Sequence, residues 1–118
     1  MNYTFNNDVP IYLQIVDIIT SDIVSGKIAP GEKIPSVRDY AVLFKANPNT
    51  VCKSLAVLED NHLIYTERTN GKFVTCDLDV IKSYKEKIFN EKVNDFLIEM
   101  SNLGYSKEEV VKRIMEVK

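Results

Sequence analysis

The stretch ANPNTVCKSL, residues 46–55, combines the signals of an abrupt helix start with those of a two-faced helix. Asn47 suits the N-cap position because its side-chain oxygen can accept a free N–H of the first turn. Pro48 then takes the first helical position, where its missing N–H costs nothing and its fixed φ suits the helix. Asn49 and Thr50 leave small polar groups on the first turn, which a purely structural helix does not require.

Apolar residues recur on one side of this predicted helix. Val51, Leu55 and Leu58 share that side. Asn49 and Lys53 project to the opposite side at about 100° per residue. The outward surface near the N-terminal end is therefore small, polar and basic, which is what entry into a major groove of DNA requires.

Two helices are predicted ahead of this one. The first begins at Pro10, ends before Gly26 and presents a stripe of isoleucines at helical spacing. These isoleucines are Ile11, Ile15, Ile18, Ile19 and Ile23. The second helix begins at Pro35-Ser36, where Ser36 and Asp39 form a capping-box-like pair. Its inner positions are expected to be Val37, Ala41 and Phe44.

A β-hairpin is predicted after the third helix. Leu63–Thr66 and Lys72–Thr75 are typical of its strands, and Asn70-Gly71 between them is the strongest short hairpin signal. Three helices followed by a hairpin form a winged helix-turn-helix domain, which we assign to residues 1–77. The predicted fold class is mainly α with a small β-hairpin.

The remaining residues, 78–118, are predicted to form a C-terminal helical hairpin. Residues 78–103 lack Pro and Gly, and LGY at 103–105 indicates a turn. Ser106 with Glu109 then offers a capping box for the last helix. The apolar surface of this tail is too large for a helical hairpin to bury alone, so it must pack on the first domain, on another chain, or on both.

Composition narrows the class of protein. The 118 residues are 45% hydrophobic and 27% charged, with no run long enough to span a membrane and no signal-peptide pattern at the start, so we expect a cytoplasmic protein without membrane contact. The net charge of −2 argues mildly against a nucleic-acid partner. Between residues 33 and 58, however, four basic residues stand against one acidic residue, and phosphate binding depends on local charge.

The sequence contains no catalytic or metal-binding pattern. Its one histidine, His62, and its two cysteines, Cys52 and Cys76, have no partner at ligand spacing. It also has no nucleophile–base set and no glycine-rich phosphate loop. We therefore expect neither an enzyme nor a metal or cofactor site.

Three local features together favour double-stranded DNA as the partner. The polar start of the third helix suits a major groove. Ser36 and Arg38 bring a helix N-terminus and a guanidinium close together, and both suit phosphate. Gly71 and Lys72 lie at a hairpin tip that can reach a minor groove or the backbone. Each feature alone has a plain structural alternative, such as an ion pair between Arg38 and Asp39.

These segments resemble the DNA-binding domain of the GntR family of bacterial transcription regulators. The resemblance covers residues 10–74 and rests on the order and spacing of four pieces: PIYLQI (10–15), IVSGKIAPGEKIPSVRDYA (23–41), NPNTVCKSLAVLED (47–60) and GKFV (71–74). The short tail, including its turn LGYSKEE (103–109), resembles that of the YtrA-type subfamily. It is too short for the effector-binding domains of the larger subfamilies.

The resemblance implies a homodimer that binds a palindromic operator and usually represses transcription, with the tail helices forming the dimer. In the family, the arginine of the PSxR motif contacts DNA, and here it is Arg38. The first residues of the recognition helix and the wing glycine also contact DNA, which matches Asn47, Asn49, Thr50 and Gly71. The dimer contacts expected in the tail are Ile88, Phe89, Phe96, Met100, Leu103 and Ile114.

Two departures from the family pattern bear on the site. Cys52 stands where relatives commonly have Arg or Gln, so a base contact is expected to be missing, weaker or shifted to Lys53. The wing usually reads Arg-Gly-x-Gly-Thr-Phe-Val, but here residues 68–74 read RTNGKFV. Losing the first glycine stiffens the wing, and Lys72 adds a charge that can bind a phosphate.

Two alternatives stay open on the sequence alone. A winged-helix module can serve protein contact, with its apolar tail docking on a partner protein. The second, which is compatible with DNA binding, is a small-molecule sensor with a pocket between the domain and the tail. Without a dedicated effector domain, its ligand would have to bind near Tyr3, Tyr40 or Tyr84, and the sequence does not show that one exists.

Overall fold

The computed structural model describes residues 3–118, and in this range the chain forms five helices and a two-stranded antiparallel sheet. The helices are α1 (Ile11–Val24), α2 (Val37–Phe44), α3 (Pro48–Asp60), α4 (Leu78–Asn102) and α5 (Lys107–Glu116). The strands β1 (Ile64–Glu67) and β2 (Gly71–Val74) lie between α3 and α4. The predicted fold, mainly α with a small hairpin after three helices, is confirmed.

The helix starts singled out in the sequence have the expected caps. Ser36 and Asp39 form a capping box at α2, and Ser106 takes the same part at α5. At α3 the Asn47 side chain accepts the Asn49 N–H at 2.8 Å, and a proline occupies the first turn. Each cap provides a hydrogen-bond acceptor for a backbone N–H of the first turn. Replacing such a capping residue by Ala typically lowers the free energy of unfolding by about 1 kcal/mol.

The core of the winged domain forms where α1 and α3 pack on each other and on the hairpin. Each of these elements buries one face, because its apolar residues repeat at helical or strand spacing. The residues buried in this core include Ile15, Ile19, Ile23, Val51, Leu55, Leu58, Leu63, Ile64 and Val74. The fully buried Ser54 hydroxyl lies 2.9 Å from the Tyr12 carbonyl oxygen and 3.0 Å from that of Thr50, so its polar group is satisfied within the core.

The inner face of α2 includes Tyr40 in addition to the expected residues Val37, Ala41 and Phe44, which all lie in or against the core. Tyr40 and Phe44 are buried, whereas Val37 and Ala41 are only half-buried. The Tyr40 and Phe44 rings stack with centroids 5.5 Å apart, and the Tyr3 ring meets Phe44 edge-on at 4.9 Å. Aromatic packing from the segment ahead of α1 therefore helps to select the buried face of α2, and periodicity within α2 alone cannot reveal this.

The loop of the hairpin is longer than the Asn-Gly signal implies. Glu67 pairs with Gly71, so residues 68–70 form the loop, and each strand begins one residue away from its predicted start. The Asn70 N–H bonds to the Glu67 carbonyl at 3.2 Å, and Gly71 opens β2 with a φ of +107°. The predicted hairpin is present, with Gly71 as the first residue of β2 and not within the loop. The glycine is needed where the loop rejoins the strand, because side chains rarely tolerate that backbone conformation.

A third extended segment lies along the other edge of β2. Three backbone hydrogen bonds of 2.9 Å each join residues 31–34 to Lys72 and Val74, and Lys33 forms a bridge with Phe73. An isolated two-stranded hairpin is marginally stable in water. The wing is thus supported from the segment that leads into α2.

The chain divides into two compact units, Met1–Lys85 and Glu86–Lys118, and the division falls within α4. The first unit holds α1, α2, α3 and the hairpin, with Val80, Ile81 and Tyr84 of α4 packed against its core. The predicted domain division between residues 77 and 78 coincides with the start of α4 and stays a prediction. No helix within residues 3–118 is both long and apolar enough to cross a membrane.

The second unit consists of the remainder of α4 and the helix α5. The connecting turn has Gly104 at a φ of +97°, and the Tyr105 N–H bonds to the Met100 carbonyl at 3.0 Å. Val110 is buried, whereas most other side chains of this unit are exposed. The helical hairpin predicted from the capping box is present.

Replacing Leu58 by Ala is expected to lower the free energy of unfolding by about 2–5 kcal/mol, because this fully buried side chain would leave a cavity in the core. Leu78→Ala is the matched control, since Leu78 is 64% exposed, and it should cost less than about 1 kcal/mol. Urea unfolding followed by circular dichroism measures both variants. Equal losses would contradict the core described above.

Candidate nucleic-acid interface

The first turn of α3 is polar and accessible, as predicted. Asn47 and Asn49 are exposed and Thr50 is half-buried, while Val51 behind them is fully buried. The Asn47 side chain caps the helix, whereas the Asn49 side chain makes no hydrogen bond within residues 3–118. The helix therefore presents a free carboxamide at its start, with the core directly behind it.

Lys53 is exposed on α3, and its ammonium is positioned by a contact with α1. Its ammonium lies 4.0 Å from the centroid of the Tyr12 ring, a cation–π contact between α3 and α1. The neighbouring Ser54 bonds to the Tyr12 carbonyl, so two consecutive α3 residues contact the same α1 residue. Cys52 is exposed beside them as a free thiol. The expectation that a base contact at Cys52 is missing, weaker or shifted to Lys53 stays a prediction, and the Lys53 ammonium has a defined contact with α1.

Arg38 lies on the exposed first turn of α2 and forms no ion pair within the described chain. The Asp39 carboxylate instead accepts the Ser36 N–H at 3.4 Å in the capping box. The plain alternative, an Arg38–Asp39 ion pair, is therefore not formed. A guanidinium without an internal partner, beside a helix N-terminus, is well suited to a phosphate.

Lys72 of the wing is already paired inside the protein. Its ammonium lies 2.6 Å from the Thr66 hydroxyl oxygen and 3.4 Å from a carboxylate oxygen of Glu59 on α3. Thr66 in turn donates to the same carboxylate. The hydrogen bond from Thr66, assisted by the positive charge of Lys72, lowers the pKa of Glu59 below its ordinary value. The charge expected to bind a phosphate is thus directed toward α3.

The structure places a second lysine at the wing, which the sequence did not single out as a site residue. A Cβ built on Gly71 would lie 2.9 Å from Cε and 3.6 Å from Nζ of Lys33. Lys33 is exposed and has no ion pair among residues 3–118. Lys33 and Gly71 are far apart in the sequence, and the pairing of residues 31–34 with β2 brings them together. The one sign of a role for Lys33 in the sequence was its place among the four basic residues between positions 33 and 58.

The three tyrosines proposed as an effector site contribute to packing. Tyr3 lies against Phe44, Tyr40 is buried beside the same ring, and Tyr84 packs against the core. The Tyr40 hydroxyl has no hydrogen-bond partner within residues 3–118, and burial, with a smaller effect of Asp22, raises its pKa. An effector near these residues stays an open alternative. The described chain also contains no cluster of three or more metal-ligating side chains.

The second unit exposes much of its apolar surface. Phe89 is 66% exposed, Leu103 69% and Ile114 55%, and Phe96 is exposed as well. Ile88 and Met100 are half-buried. Within the unit, the apolar residues that line a groove between α4 and α5 are Phe96, Met100, Tyr105, Val110 and Ile114. A surface of this kind marks an interaction site.

The first unit has the order of elements and the surface of a winged helix-turn-helix DNA-binding domain. The helix α3, with its polar start, follows a helix whose first turn carries an arginine without an ion pair among residues 3–118, and a β-hairpin comes next. Residues 11–74 match the family described as "Bacterial regulatory proteins, gntR family". The chain belongs to this GntR family and is a DNA-binding transcription regulator, not an enzyme.

Relatives and solved structures agree with this assignment. The chain is 35% identical to the HTH-type transcriptional regulator YhcF of Bacillus subtilis over 97% of its own length and 94% of the relative's. It is 31% identical to the HTH-type transcriptional repressor YtrA of the same organism, covering 92% of this chain and 84% of the relative. The resemblance to YtrA-type GntR regulators is thereby confirmed.

Two solved structures extend the comparison. A GntR family transcriptional regulator from Listeria monocytogenes matches with a TM-score of 0.86 and 37% identity, over 97% of this chain and 100% of that one. The DNA-binding domain of AraR in complex with operator ORX1 matches with a TM-score of 0.56 and 29% identity, over 64% of this chain and 92% of that one. The first match covers both units.

Stability in acid is expected to depend on Glu59. Because its pKa is lowered in the folded state, the ionised carboxylate stabilises the fold above its unfolded pKa, and this stabilisation is lost as the pH falls through the folded pKa. Glu59→Gln should therefore lose less stability than the wild type between about pH 6 and pH 3. Urea unfolding at both pH values measures the difference, with Asp60→Asn as the control at the adjacent carboxylate. Equal losses in wild type and Glu59→Gln would contradict the Thr66–Glu59–Lys72 contact.

Proposed function

We propose that the protein is a cytoplasmic, homodimeric repressor that binds a palindromic operator through one α3 helix per half-site. The observation that carries this proposal is the exposed polar start of α3, opposite a face that is buried in the core. The family of the chain, the repressor function of YtrA and the AraR domain bound to operator DNA support it. A regulator of this kind acts where the chromosome is, which favours the cytoplasm.

The side chains at the start of α3 are assigned to base reading. A free carboxamide such as that of Asn49 can pair with the edge of adenine in the major groove, and the Thr50 hydroxyl and methyl suit either a polar edge or a thymine methyl group. Asn47 is engaged as the cap, so we assign its DNA contact to the part of the amide that the cap leaves free. Lys53, stacked on Tyr12, lies further along the same helix.

Phosphate contacts are assigned to the elements that flank α3. Arg38 and the N-terminal backbone of α2 at Ser36 provide a guanidinium and partial positive charge. Gly71 provides a backbone surface without a side chain at the base of the wing loop. Such contacts fix the orientation on the duplex, while the base contacts supply the specificity.

A homodimer follows from the demands of a two-fold operator and from the exposed apolar surface of the tail. Two recognition helices must reach half-sites about 34 Å apart, or one helical turn of DNA. The exposed side chains of Phe89, Phe96, Leu103 and Ile114 supply a surface that a second copy can bury. The docking of this surface on a different protein is the alternative, and the oligomeric state separates the two.

Arg38→Ala is expected to weaken binding to every duplex and to lower the salt dependence of log Kd by about 0.9, the value of one phosphate contact. Fluorescence anisotropy over a salt series, with DNA from the protein's own upstream region and a scrambled duplex, measures both effects. Lys27→Ala is the charge-matched control, since it removes a positive charge from the loop after α1, where the Lys27 ammonium lies 3.8 Å from a carboxylate oxygen of Asp22. A loss of affinity with an unchanged salt slope would show that Arg38 acts structurally.

Phe96→Glu and Met100→Glu are each expected to dissociate the dimer and to reduce affinity for the operator by about 100-fold or more, because two linked half-site contacts become independent. Analytical ultracentrifugation and anisotropy measure the two effects on the same samples. Asn94→Glu adds the same charge at an exposed polar position of α4 and should leave both unchanged. A monomeric variant that still binds the palindrome tightly would contradict the proposal. A monomeric wild type would favour the docking alternative.

A further inference from the structure

We propose that Lys33, and not Lys72, is the lysine of the wing that contacts a DNA phosphate, while Lys72 is a positioning residue that holds the wing on α3. The inference rests on the proposed DNA-binding function. It concerns which residue of the same site contacts the ligand.

The pleat of the hairpin places Lys72 on its inner face. Successive residues of a strand point to opposite faces. Ile64 and Val74 pair with each other and are buried against the helices. Thr66 and Lys72, each two residues away, pair with each other and therefore share this inner face. The side chain of Lys72 is thus directed toward α3, where Glu59 lies.

The positive charge of Lys72 is compensated within the protein by the Glu59 carboxylate. Its ammonium reaches the Thr66 hydroxyl at 2.6 Å and the Glu59 carboxylate at 3.4 Å, and Thr66 closes the network by donating to Glu59. A phosphate bound to the third N–H of Lys72 would lie close to the Glu59 carboxylate, and a phosphate that displaced Glu59 would leave that carboxylate without its positive partner. This exchange of one anion for another releases few counterions from the DNA, so it contributes little to affinity.

Lys33 occupies the opposite, outer face of the wing. It bridges to Phe73, whose ring stacks on Tyr65 with centroids 5.7 Å apart. From there its side chain runs across Gly71, where a Cβ would meet Cε at 2.9 Å. The glycine therefore leaves room for the aliphatic part of Lys33 as well as permitting its own φ of +107°. Lys33 is exposed and forms no ion pair within the part of the chain that the structure describes.

Lys33 and Lys72 differ in the groups that surround their ammonium, and therefore in the surroundings of a bound phosphate. At Lys33 the anion would meet an ammonium with no carboxylate partner, next to a residue without a side chain. At Lys72 it would meet an ammonium already bound to an anion. Each net phosphate contact changes the salt slope of binding by about 0.9, so the two assignments give different slopes.

The test compares Lys33→Gln and Lys72→Gln in the full chain, with anisotropy over a salt series on a mixed-sequence duplex and on DNA from the upstream region. Lys33→Gln should lower the slope of log Kd against log salt by about 0.9, and Lys33→Arg should restore it. Lys72→Gln should leave the slope unchanged. Lys27→Gln is the charge-matched control, because the Lys27 ammonium already lies 3.8 Å from a carboxylate oxygen of Asp22. This variant should also leave the slope unchanged.

An NMR titration of the Glu59 carboxyl reports the positioning role of Lys72 separately. Lys72→Gln should raise the pKa of Glu59, because the positive charge that helps to lower it is removed, whereas Lys33→Gln should not change it. Lys33→Gln, which alters a residue paired with the same hairpin, is the control for a general loss of hairpin stability.

The results that overturn the inference differ from those that overturn the proposed function. A slope that falls for Lys72→Gln and not for Lys33→Gln, or falls equally for Lys33→Gln and Lys27→Gln, would disprove the assignment while leaving DNA binding intact. A wild-type protein whose binding to both duplexes is absent would disprove the proposed function and this inference with it.

Discussion

The packing of α3 on α1 is the contact on which the rest of the structure depends. Val51, Leu55 and Leu58 bury one face of α3 completely, so the other face has to lie at the surface. The Ser54 hydroxyl and the Lys53 ammonium both contact Tyr12 of α1, one through its carbonyl and the other through its ring. Together these contacts restrict rotation of α3 about its own axis. The helix therefore presents one set of side chains outward, as a recognition helix must.

The wing is attached to the rest of the first unit through its inner face and through the free edge of β2. On one side, the Thr66–Glu59–Lys72 network connects the hairpin to the C-terminal part of α3. On the other side, residues 31–34 bond to β2 and then lead directly into the cap of α2. A short hairpin would be marginally stable alone, and these attachments supply the missing support. The start of α2, the helix α3 and the wing are consequently parts of one packed unit.

Pairing of charges, more than their number, decides where an anion can bind. The chain has a net charge of −2, but several acidic side chains have structural partners. Asp39 belongs to a capping box, Glu59 holds the wing and Asp22 lies 3.8 Å from Lys27. Arg38 and Lys33 form no ion pair within residues 3–118. The acidic total is therefore compatible with a surface suited to phosphate.

The sequence by itself determined the helix starts, the buried stripe of α3 and the presence of a hairpin, because capping, periodicity and turn chemistry act over only a few neighbouring residues. It also determined the family, through the order and spacing of its motifs. The tertiary structure decided that Tyr40 is buried and that Lys72 faces α3 while Lys33 lies over Gly71. Part of this was latent in the sequence, since strand alternation from Val74 places Lys72 inward. The position of Lys33 was not, because it arises from the pairing of segments that are far apart in the chain, and local patterns carry no information about which segments pair.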